Sequence, residues 1–315
     1  MTARVPACEV AGDVDAVAAA LRWIGWIVDP RSRDAATGHW WSWVGEGGYP
    51  YAEATAWVLL ALAEARAAGI AHGSALAEIG DAACEGLARG ARQGGLGRGG
   101  RWYAFDTAVG LAAVHAWRPE HPAVNALWLQ LRTMAAERRA VQGGPRLGQP
   151  APGARWSEVW GAHLLWLAVA AHSLGEVAWA RSLAKDLLDP AALVPMPTYC
   201  HALAYACEGL VALRGEAVFD TQLGAWWTRL RRAATPGGVV AHAGEKGPVR
   251  ADTTAQTARL LRTLEPQADA APWLRLLWDW TDAQGAVHYE PGSPHANAWC
   301  TAMALRAAVA ALEDG

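Results

Sequence analysis

The segment GGYPYAEATAWVLLALAEARAAG, residues 47–69, sets the pattern that the rest of the chain follows. It opens with glycine, tyrosine and proline, which favour a loop, and continues as a long run of small and apolar residues. A helix that is apolar on nearly all sides is typical of a protein interior. The segment therefore predicts a buried helix that begins at a polar loop.

Five further segments repeat this design. They are YAFDTAVGLAAVHAW (103–117), WSEVWGAHLLWLAVAA (156–171), YCHALAYACEGLVAL (199–213), ADTTAQTARLLRTL (251–264) and ANAWCTAMALRAAVAAL (296–312). One marker residue near the start of each gives spacings of 53, 52, 43, 51 and 45 residues along the set Glu53, Asp106, Glu158, His201, Asp252 and Asn297. Repetition at a period of 40 to 50 residues indicates one supersecondary unit copied along the chain.

A second set of helices, with Arg and Glu along one side, lies between these segments. The predicted ranges are 13–28, 73–91, 121–139, 175–188, 215–233 and 269–282. Such amphipathic helices are typical of a surface layer, and alternation of the two sets gives six helical hairpins. We therefore expect an all-α fold, an (α/α)6 toroid in which residues 1–315 form a single domain with inner and outer layers.

The predicted connections differ in length. The inner-to-outer turns are short, whereas the outer-to-inner connections, such as residues 29–50 and 235–250, are long and rich in Gly, Pro and Trp. Long loops gathered on one face are usually binding loops. We expect the functional site on that face, where the inner helices present their N-termini.

Composition excludes several classes of function. The chain of 315 residues has a formal net charge of −3, which does not favour nucleic acid as a partner. The N-terminal residues lack the apolar run of a secretory signal, and no apolar stretch reaches the length of a membrane span. The five cysteines are irregularly spaced, which favours free thiols over disulfides and, with the other features, predicts a cytoplasmic protein without membrane association.

The repeats also resemble known proteins. The rhythm of GGYPYAEATAWVLLALAEARAAG, RWYAFDTAVGLAA and VRADTTAQTARLL is similar to that of the helices of terpenoid cyclases and protein prenyltransferases. A ring of six hairpins is also shared by six-hairpin glycosidases, unsaturated glucuronyl hydrolases, sugar 2-epimerases and some polysaccharide lyases. The resemblance implies the toroid fold and leaves the activity open.

Motifs narrow this comparison. The chain lacks the DxDD acid motif of squalene-type cyclases, the DDxxD metal motif of ionising terpene synthases and the zinc set of the prenyltransferases. Lanthionine cyclases bind zinc through Trp-Cys and Cys-His elements, and the resemblance of Cys200, His201 and Cys300 to these elements implies an alternative zinc site. We otherwise expect no metal and no cofactor.

Candidate catalytic residues are the polar side chains at the predicted starts of inner helices. Carboxylates and a histidine meeting at a hub could supply acid and base for work on a glycosidic bond. Glu158 and Asp252 are the first choices for this role. The remaining candidates are Asp106, His201 and Glu53.

Candidate binding residues surround these acids. Arg250 and Arg101 precede helix starts and would suit an anionic group, as would Arg98 and Arg155. Tryptophans in loops are typical of flat walls on which sugars or isoprenoid chains stack. The full predicted binding set is Arg250, Arg101, Tyr51, Tyr103, Tyr199, Trp41, Trp102, Trp156, Asn297 and Gln256.

Three functions fit this pattern. The first is a carbohydrate-active enzyme, a hydrolase, lyase or epimerase, that acts by acid–base chemistry on a saccharide carrying an anionic group. The second is a terpenoid-cyclase-like or prenyltransferase-like enzyme that handles an isoprenoid. The third is a non-catalytic ring that binds a peptide or another small-molecule ligand.

Overall fold

Two layers of helices alternate along the chain in the computed structural model, which describes residues 15–149, 153–189 and 198–312. The inner helices are α2 (Ala52–Ala67), α4 (Ala104–Trp117), α6 (Leu167–Ser173), α8 (Cys200–Val211), α10 (Ala251–Leu264) and α12 (Ala298–Leu312). The outer helices are α1 (Ala16–Val28), α3 (Ser74–Arg92), α5 (Ala123–Ala136), α7 (Val177–Leu188), α9 (Ala217–Arg232) and α11 (Ala271–Asp279). The predicted all-α architecture is confirmed.

Burial follows the composition of the two layers. Nearly every side chain of α2 and α4 is buried, because alanine, glycine and threonine let neighbouring helices approach closely. The outer helix α3 buries only one stripe, which includes Leu76, Ala83 and Leu87. The inner helices pack in sequence from α2 to α12, and α12 packs on α2, so the six hairpins form a closed ring.

Contacts between the first and last repeats close the ring. Helix α1 packs against α12, and strand β1 (Trp43–Val44) pairs with strand β6 (Ala296–Asn297). The indole of Trp23 donates a hydrogen bond of 3.0 Å to the hydroxyl of Thr281. The remaining ladders are hairpins within the long loops, β2 (Gly97–Arg98) with β3 (Arg101–Trp102) and β4 (Ala234–Thr235) with β5 (Gly238–Val239).

A threonine in four inner helices holds the preceding loop. Each lies four residues after the cap of its helix, and its hydroxyl accepts a hydrogen bond from a loop amide. The pairs are Thr55 with Trp40 (3.0 Å), Thr107 with Leu96 (3.2 Å), Thr254 with Val239 (3.0 Å) and Thr301 with Val287 (2.9 Å). The long loops are therefore fixed to the inner ring where they meet the site.

The third repeat departs from the predicted helix over 156–171. A 3-10 turn covers Trp156–Glu158, the chain then extends, and helical structure resumes as a 3-10 segment at Ala162–Trp166 before α6. Val159 and Gly161 are both extended, which agrees with the low helix propensity of valine and glycine. The prediction that Glu158 lies in the first turn of an inner helix is therefore wrong.

Close packing in this repeat depends on Gly209 of α8. A Cβ atom at Gly209 would lie 2.2 Å from the carbonyl oxygen of Leu165, so only glycine lets α8 approach the 3-10 segment. In the part of the chain that the structure describes, no helix combines the length and the apolar character needed to cross a membrane.

Candidate functional site

The starts of the inner helices surround the centre of the ring, which we call the hub. Equivalent caps define a register: Tyr51, Tyr103, Tyr199 and Arg250 precede α2, α4, α8 and α10. Two residues after the cap lie Glu53, Phe105, His201 and Asp252. Asp106 stands one position later than Glu53 in this register, so the two acids that the sequence treats as equivalent enter the hub at different places.

Asn297 is a cap rather than an equivalent of the acids. Its buried side-chain oxygen accepts a hydrogen bond of 3.0 Å from the amide of Cys300, in the first turn of α12. This is the usual role of asparagine at a helix start. The residue at the position of Glu53 in this repeat is Trp299.

Tyr51 connects two carboxyl groups on one side of the hub. Its hydroxyl lies 2.5 Å from Glu53 Oε2 and 3.1 Å from Asp106 Oδ2, so these two carboxyl oxygens are separated by no more than 5.6 Å, the sum of those distances. Arg98 donates a hydrogen bond of 2.6 Å to the same hydroxyl. A phenol has one proton and can donate to only one of the acids, so the second contact requires a proton on a carboxyl group.

Burial decides where that proton resides. Asp106 is 3% exposed, and its burial, followed by the negative charge of Glu53, holds the pKa of Asp106 well above its usual range. Arg98 lowers this pKa but does not reverse the shift. Burial and the two carboxylates also raise the pKa of Tyr51, so the phenol stays protonated. Burial therefore favours the protonated form of Asp106 within the Glu53–Tyr51–Asp106 cluster.

Glu158 lies at the rim beside this cluster. The hydroxyl of Tyr103 donates a 3.2 Å hydrogen bond to Glu158, and Arg101 lies 3.5 Å from it. Arg101 is the more exposed of the two arginines on this wall, whereas Arg98 reaches the aromatic rings of Tyr51 and Tyr103. Arg98 is therefore the arginine that faces the hub.

A second polar group occupies another wall. His201 Nδ1 lies 3.6 Å from Asp252 Oδ2, and both side chains are nearly fully buried. The other oxygen of Asp252 accepts hydrogen bonds from the amide (2.6 Å) and hydroxyl (3.1 Å) of Thr253. These bonds fix the carboxylate, so that one oxygen remains directed at the imidazole.

Aromatic rings join the two walls. Trp156 meets His163 and His201 edge-on at centroid distances of 5.0 and 6.0 Å, and the hydroxyls of Tyr199 and Tyr289 lie 3.0 Å apart. All six tyrosines of the chain belong to this lining. They are Tyr49, Tyr51, Tyr103, Tyr199, Tyr205 and Tyr289.

Arg250 stands at the rim of the second wall. Its guanidinium lies 4.6 Å from the ring centre of Tyr289 and forms a 2.7 Å ion pair with Glu290. Its Nε atom is buried without a hydrogen-bond partner in the described residues. Arg250 therefore retains a free donor where the loop meets the hub.

The structure does not bring every predicted residue into this lining. Trp102 packs against Gly94 and Gly95 of its own loop, and Trp41 forms a backbone bridge with Pro50. Among described residues, neither makes a ring contact with the aromatic lining. Both belong to the loop layer around the hub.

The alternative zinc site is not formed. Within residues 15–149, 153–189 and 198–312, no three His, Cys, Asp or Glu side chains meet in a way that could hold a metal ion. Cys200 and Cys300 are buried free thiols, and burial raises the pKa of both. Cys8, the first of the five cysteines, lies outside the described residues.

Sequence reasoning missed two residues around the hub, Tyr205 and Tyr289, which carry no strong motif. It also did not separate Arg98, which faces the hub, from the other loop arginines. The signal for Tyr205 was available, because it lies four residues after His201 and so shares its helix face. The concentration of all the tyrosines near predicted helix starts was a second signal.

Comparison with known proteins bears on the fold. Neither a protein-family model nor a curated protein sequence matches the chain. A mutant of the unsaturated glucuronyl hydrolase from Streptococcus agalactiae has a similar structure, with a TM-score of 0.66 and 10% identity, over 98% of this chain and 93% of that one.

Two other enzymes with solved structures show the same likeness. The type II terpene cyclase MstE from Scytonema has a TM-score of 0.58 and 16% identity, over 94% of this chain and 98% of that one. A glycosidase in complex with glucose has a TM-score of 0.61 and 13% identity, over 96% of this chain and 100% of that one. The chain therefore has the α/α-toroid fold that these hydrolases and terpene cyclases share.

Proposed function

We propose that this protein is a carbohydrate-active enzyme that uses acid–base chemistry in the hub of its toroid. The observation that carries this proposal is that the Glu53 and Asp106 carboxyl groups meet on the hydroxyl of Tyr51, where burial raises the pKa of Asp106. A carboxyl group that stays protonated at neutral pH can act as a general acid. A second carboxylate close by is the arrangement found in glycoside-cleaving enzymes.

Glu53 is the group in this cluster that would contact the substrate. It is half-buried, whereas Asp106 is nearly fully enclosed. Glu53 would receive a proton from Asp106 through the hydroxyl of Tyr51, which passes on its own proton and takes that of Asp106, and would give it to the leaving oxygen, so that Asp106 ends as the carboxylate. The three side chains would thus act as one proton-donating unit.

The His201–Asp252 pair would serve as the base. An imidazole beside a fixed carboxylate is a side chain suited to take a proton from a substrate. Of the two first choices from the sequence, Asp252 therefore retains a catalytic role in the proposal. Glu158 moves to a supporting position at the rim. Glu158 engages Tyr103 and Arg101 there.

The arginines favour a sugar with an anionic group. Arg98 and Arg250 reach the hub from two different loops, and Arg250 keeps an unpartnered donor. Guanidinium groups bind carboxylates, sulfates and phosphates with two directed hydrogen bonds. A uronic acid or a phosphorylated saccharide would meet this requirement.

An isoprenoid substrate is the second candidate, and the aromatic lining favours it. The rings of Trp57, Phe105, Trp156 and Tyr205 lie in mutual contact, and such faces stabilise cationic intermediates. The hydroxyl of Tyr205 and the amide of Gln256 have no hydrogen-bond partner among the described residues, and this favours the sugar, because a hydrocarbon would leave them unpaired.

We also propose that residues 1–315 constitute one domain, since the first and last repeats bind one another. The four described cysteines are buried thiols, which is in keeping with the reducing interior of a cell.

The test is a substrate panel assayed by chromatography and mass spectrometry. It contains neutral glycosides, glycosides of saturated and unsaturated uronic acids, sugar phosphates and a geranylgeranylated hydroxybenzoate. We expect turnover of a sugar, lowered about 100-fold or more by Glu53→Gln and by Asp106→Asn. Glu78→Gln, at an exposed site on outer helix α3, is the matched control and should keep full activity.

Other outcomes would decide against this proposal. Cyclisation of the isoprenoid alone would support the second candidate. Sugar binding that survives in both hub variants, without turnover by the wild-type protein, would support a non-catalytic ring.

A further inference from the structure

Two polar side chains lie deep in the hub without partners. Tyr205 is fully buried at 0% exposure and Gln256 is 1% exposed. In the described part of the chain, the hydroxyl of Tyr205 and both amide atoms of Gln256 have no hydrogen-bond partner. Leaving such groups unpaired in a protein interior is costly, so they indicate a missing polar ligand.

Both residues lie directly beneath the catalytic wall. Tyr205 follows His201 by four residues on α8, and Gln256 follows Asp252 by four residues on the neighbouring α10. Each therefore lies one helical turn below its partner in the His201–Asp252 pair, on the same helix face. We call Tyr205 and Gln256 the hub floor.

The ring of Tyr205 is held rigidly. It stacks on Trp57 at a centroid distance of 5.7 Å and an interplanar angle of 6°, and contacts Phe105 at 4.4 Å and His201 at 4.3 Å. Aromatic side chains on a helix lean toward its N-terminus. The hydroxyl of Tyr205 is thereby directed toward the hub and away from the C-terminal ends of the inner helices.

Charge around the floor discriminates between ligand groups. Burial raises the pKa of the Tyr205 hydroxyl. The negative charges of three carboxylates from different helices, Glu53, Glu208 and Asp252, raise it further. A further carboxylate or phosphate placed here would be repelled. Arg306 also acts on this phenol from below, but it is already bound to Glu64.

We infer that the hub floor binds a neutral, hydroxyl-bearing part of the saccharide, so that any anionic group of the substrate lies at the rim. The phenol of Tyr205 can donate one hydrogen bond, and the amide of Gln256 can donate and accept, which matches neighbouring hydroxyls. Arg98 and Arg250 would then bind the anionic group. This inference rests on the proposed function and adds the orientation of the substrate.

Binding of D-glucose and D-glucuronate to variants tests the inference. The variants are Tyr205→Phe, Gln256→Leu and Arg250→Met, with Gln222→Leu on outer helix α9 as the matched control. Affinity would be measured by ligand-observed NMR titration and thermal stability by calorimetry.

We expect Tyr205→Phe and Gln256→Leu each to lower the affinity for both sugars about tenfold, which is the equivalent of one lost hydrogen bond. Arg250→Met should weaken glucuronate alone. Tyr205→Phe should leave the thermal midpoint of the free protein unchanged or raised, because it removes an unpaired buried hydroxyl. If Tyr205 had only a structural role, the substitution would lower the thermal midpoint.

The results separate the two proposals. If the wild-type protein binds neither sugar, the carbohydrate function itself is contradicted. If it binds them and Tyr205→Phe and Gln256→Leu bind equally well, the function stands and the hub-floor inference is wrong. A glucuronate-specific loss in Tyr205→Phe would reverse the orientation.

Discussion

Arg306 in the last inner helix binds Glu64 in the first through two hydrogen bonds of 2.8 Å each. Arg259 lies 3.5 Å from both Glu64 and Glu208, and the indole of Trp166 donates a 2.7 Å bond to Glu208. This ion network crosses the ring below the hub. It links α2, α8, α10 and α12, so it fixes the ring closure that places the two polar walls of the hub opposite one another.

Removing one partner of the Arg306–Glu64 pair should destabilise the fold. Arg306 is 3% exposed, and Arg306→Met would leave the Glu64 carboxylate without its main partner. We expect a loss of roughly 3 kcal/mol in the free energy of unfolding, since broken buried pairs cost about 3–5 kcal/mol and Glu64 retains some contact with water.

Urea unfolding of Arg306→Met, Glu64→Gln and the double variant would measure this loss. The double variant should lose less stability than the two single variants together. It removes both charged groups, whereas each single variant leaves the other group without its partner. Strictly additive losses would show that the two groups do not interact.

Helix periodicity was sufficient to predict the fold. The apolar repeats located the inner helices to within a few residues, because a buried helix must keep small and apolar residues on all faces. The periodicity gave a wrong prediction at residues 156–161. Apolar residues there resemble a helix start, but Val159 and Gly161 are extended. The 3-10 segment that follows packs closely on α8, with Leu165 against Gly209, and no local pattern encodes that contact.

The site could be predicted only in part. Candidate acids were found because they stand near helix starts, yet their pairing depends on which neighbouring helix faces them. Tyr51 brings Glu53 to Asp106, and no spacing along the chain indicates that bridge. The Arg306–Glu64 pair was detectable in principle, because a lone charge in an otherwise apolar helix usually has a buried partner.

Asp106 should make the protein less stable as pH rises, and Asp106→Asn should remove this dependence. The native pKa of Asp106 lies above its ordinary value, so the native state holds a proton that the unfolded state releases. The contribution of this group to stability therefore falls as pH rises from about 4 toward the native pKa. Asp106→Asn should be at least as stable as wild type at pH 7.

Thermal unfolding of both proteins from pH 4 to pH 8 would measure this difference. The stability of the variant relative to wild type should grow with pH across that range. A constant difference would mean that Asp106 titrates normally and cannot store the proton that the proposed mechanism uses.

His163 should make the protein sensitive to mild acid. Burial, and then the nearby His201, lower the pKa of His163 to about 3. The unfolded state takes up a proton near pH 6.5 that the native state refuses, so stability is lost as pH falls from 6.5 toward 3. At pH 5 the loss is about 2 kcal/mol relative to pH 7.

His163→Leu should remove this acid sensitivity, whereas His72→Leu, at an exposed turn, should retain it. Chemical denaturation of the two variants and the wild type at pH 5 and pH 7 gives the six values needed. Equal acid losses in wild type and His163→Leu would contradict the assignment.

The threonine contacts predict that a single hydroxyl secures each binding loop. Thr301→Val keeps the shape of the side chain but leaves the buried amide of Val287 unpaired, at a cost of about 1–3 kcal/mol. Thr301→Ser retains the hydroxyl and should lose much less. Hydrogen exchange at the amide of Val287 would report the loop directly: faster exchange in Thr301→Val than in Thr301→Ser is expected, and equal rates would mean that the loop is held by its other contacts.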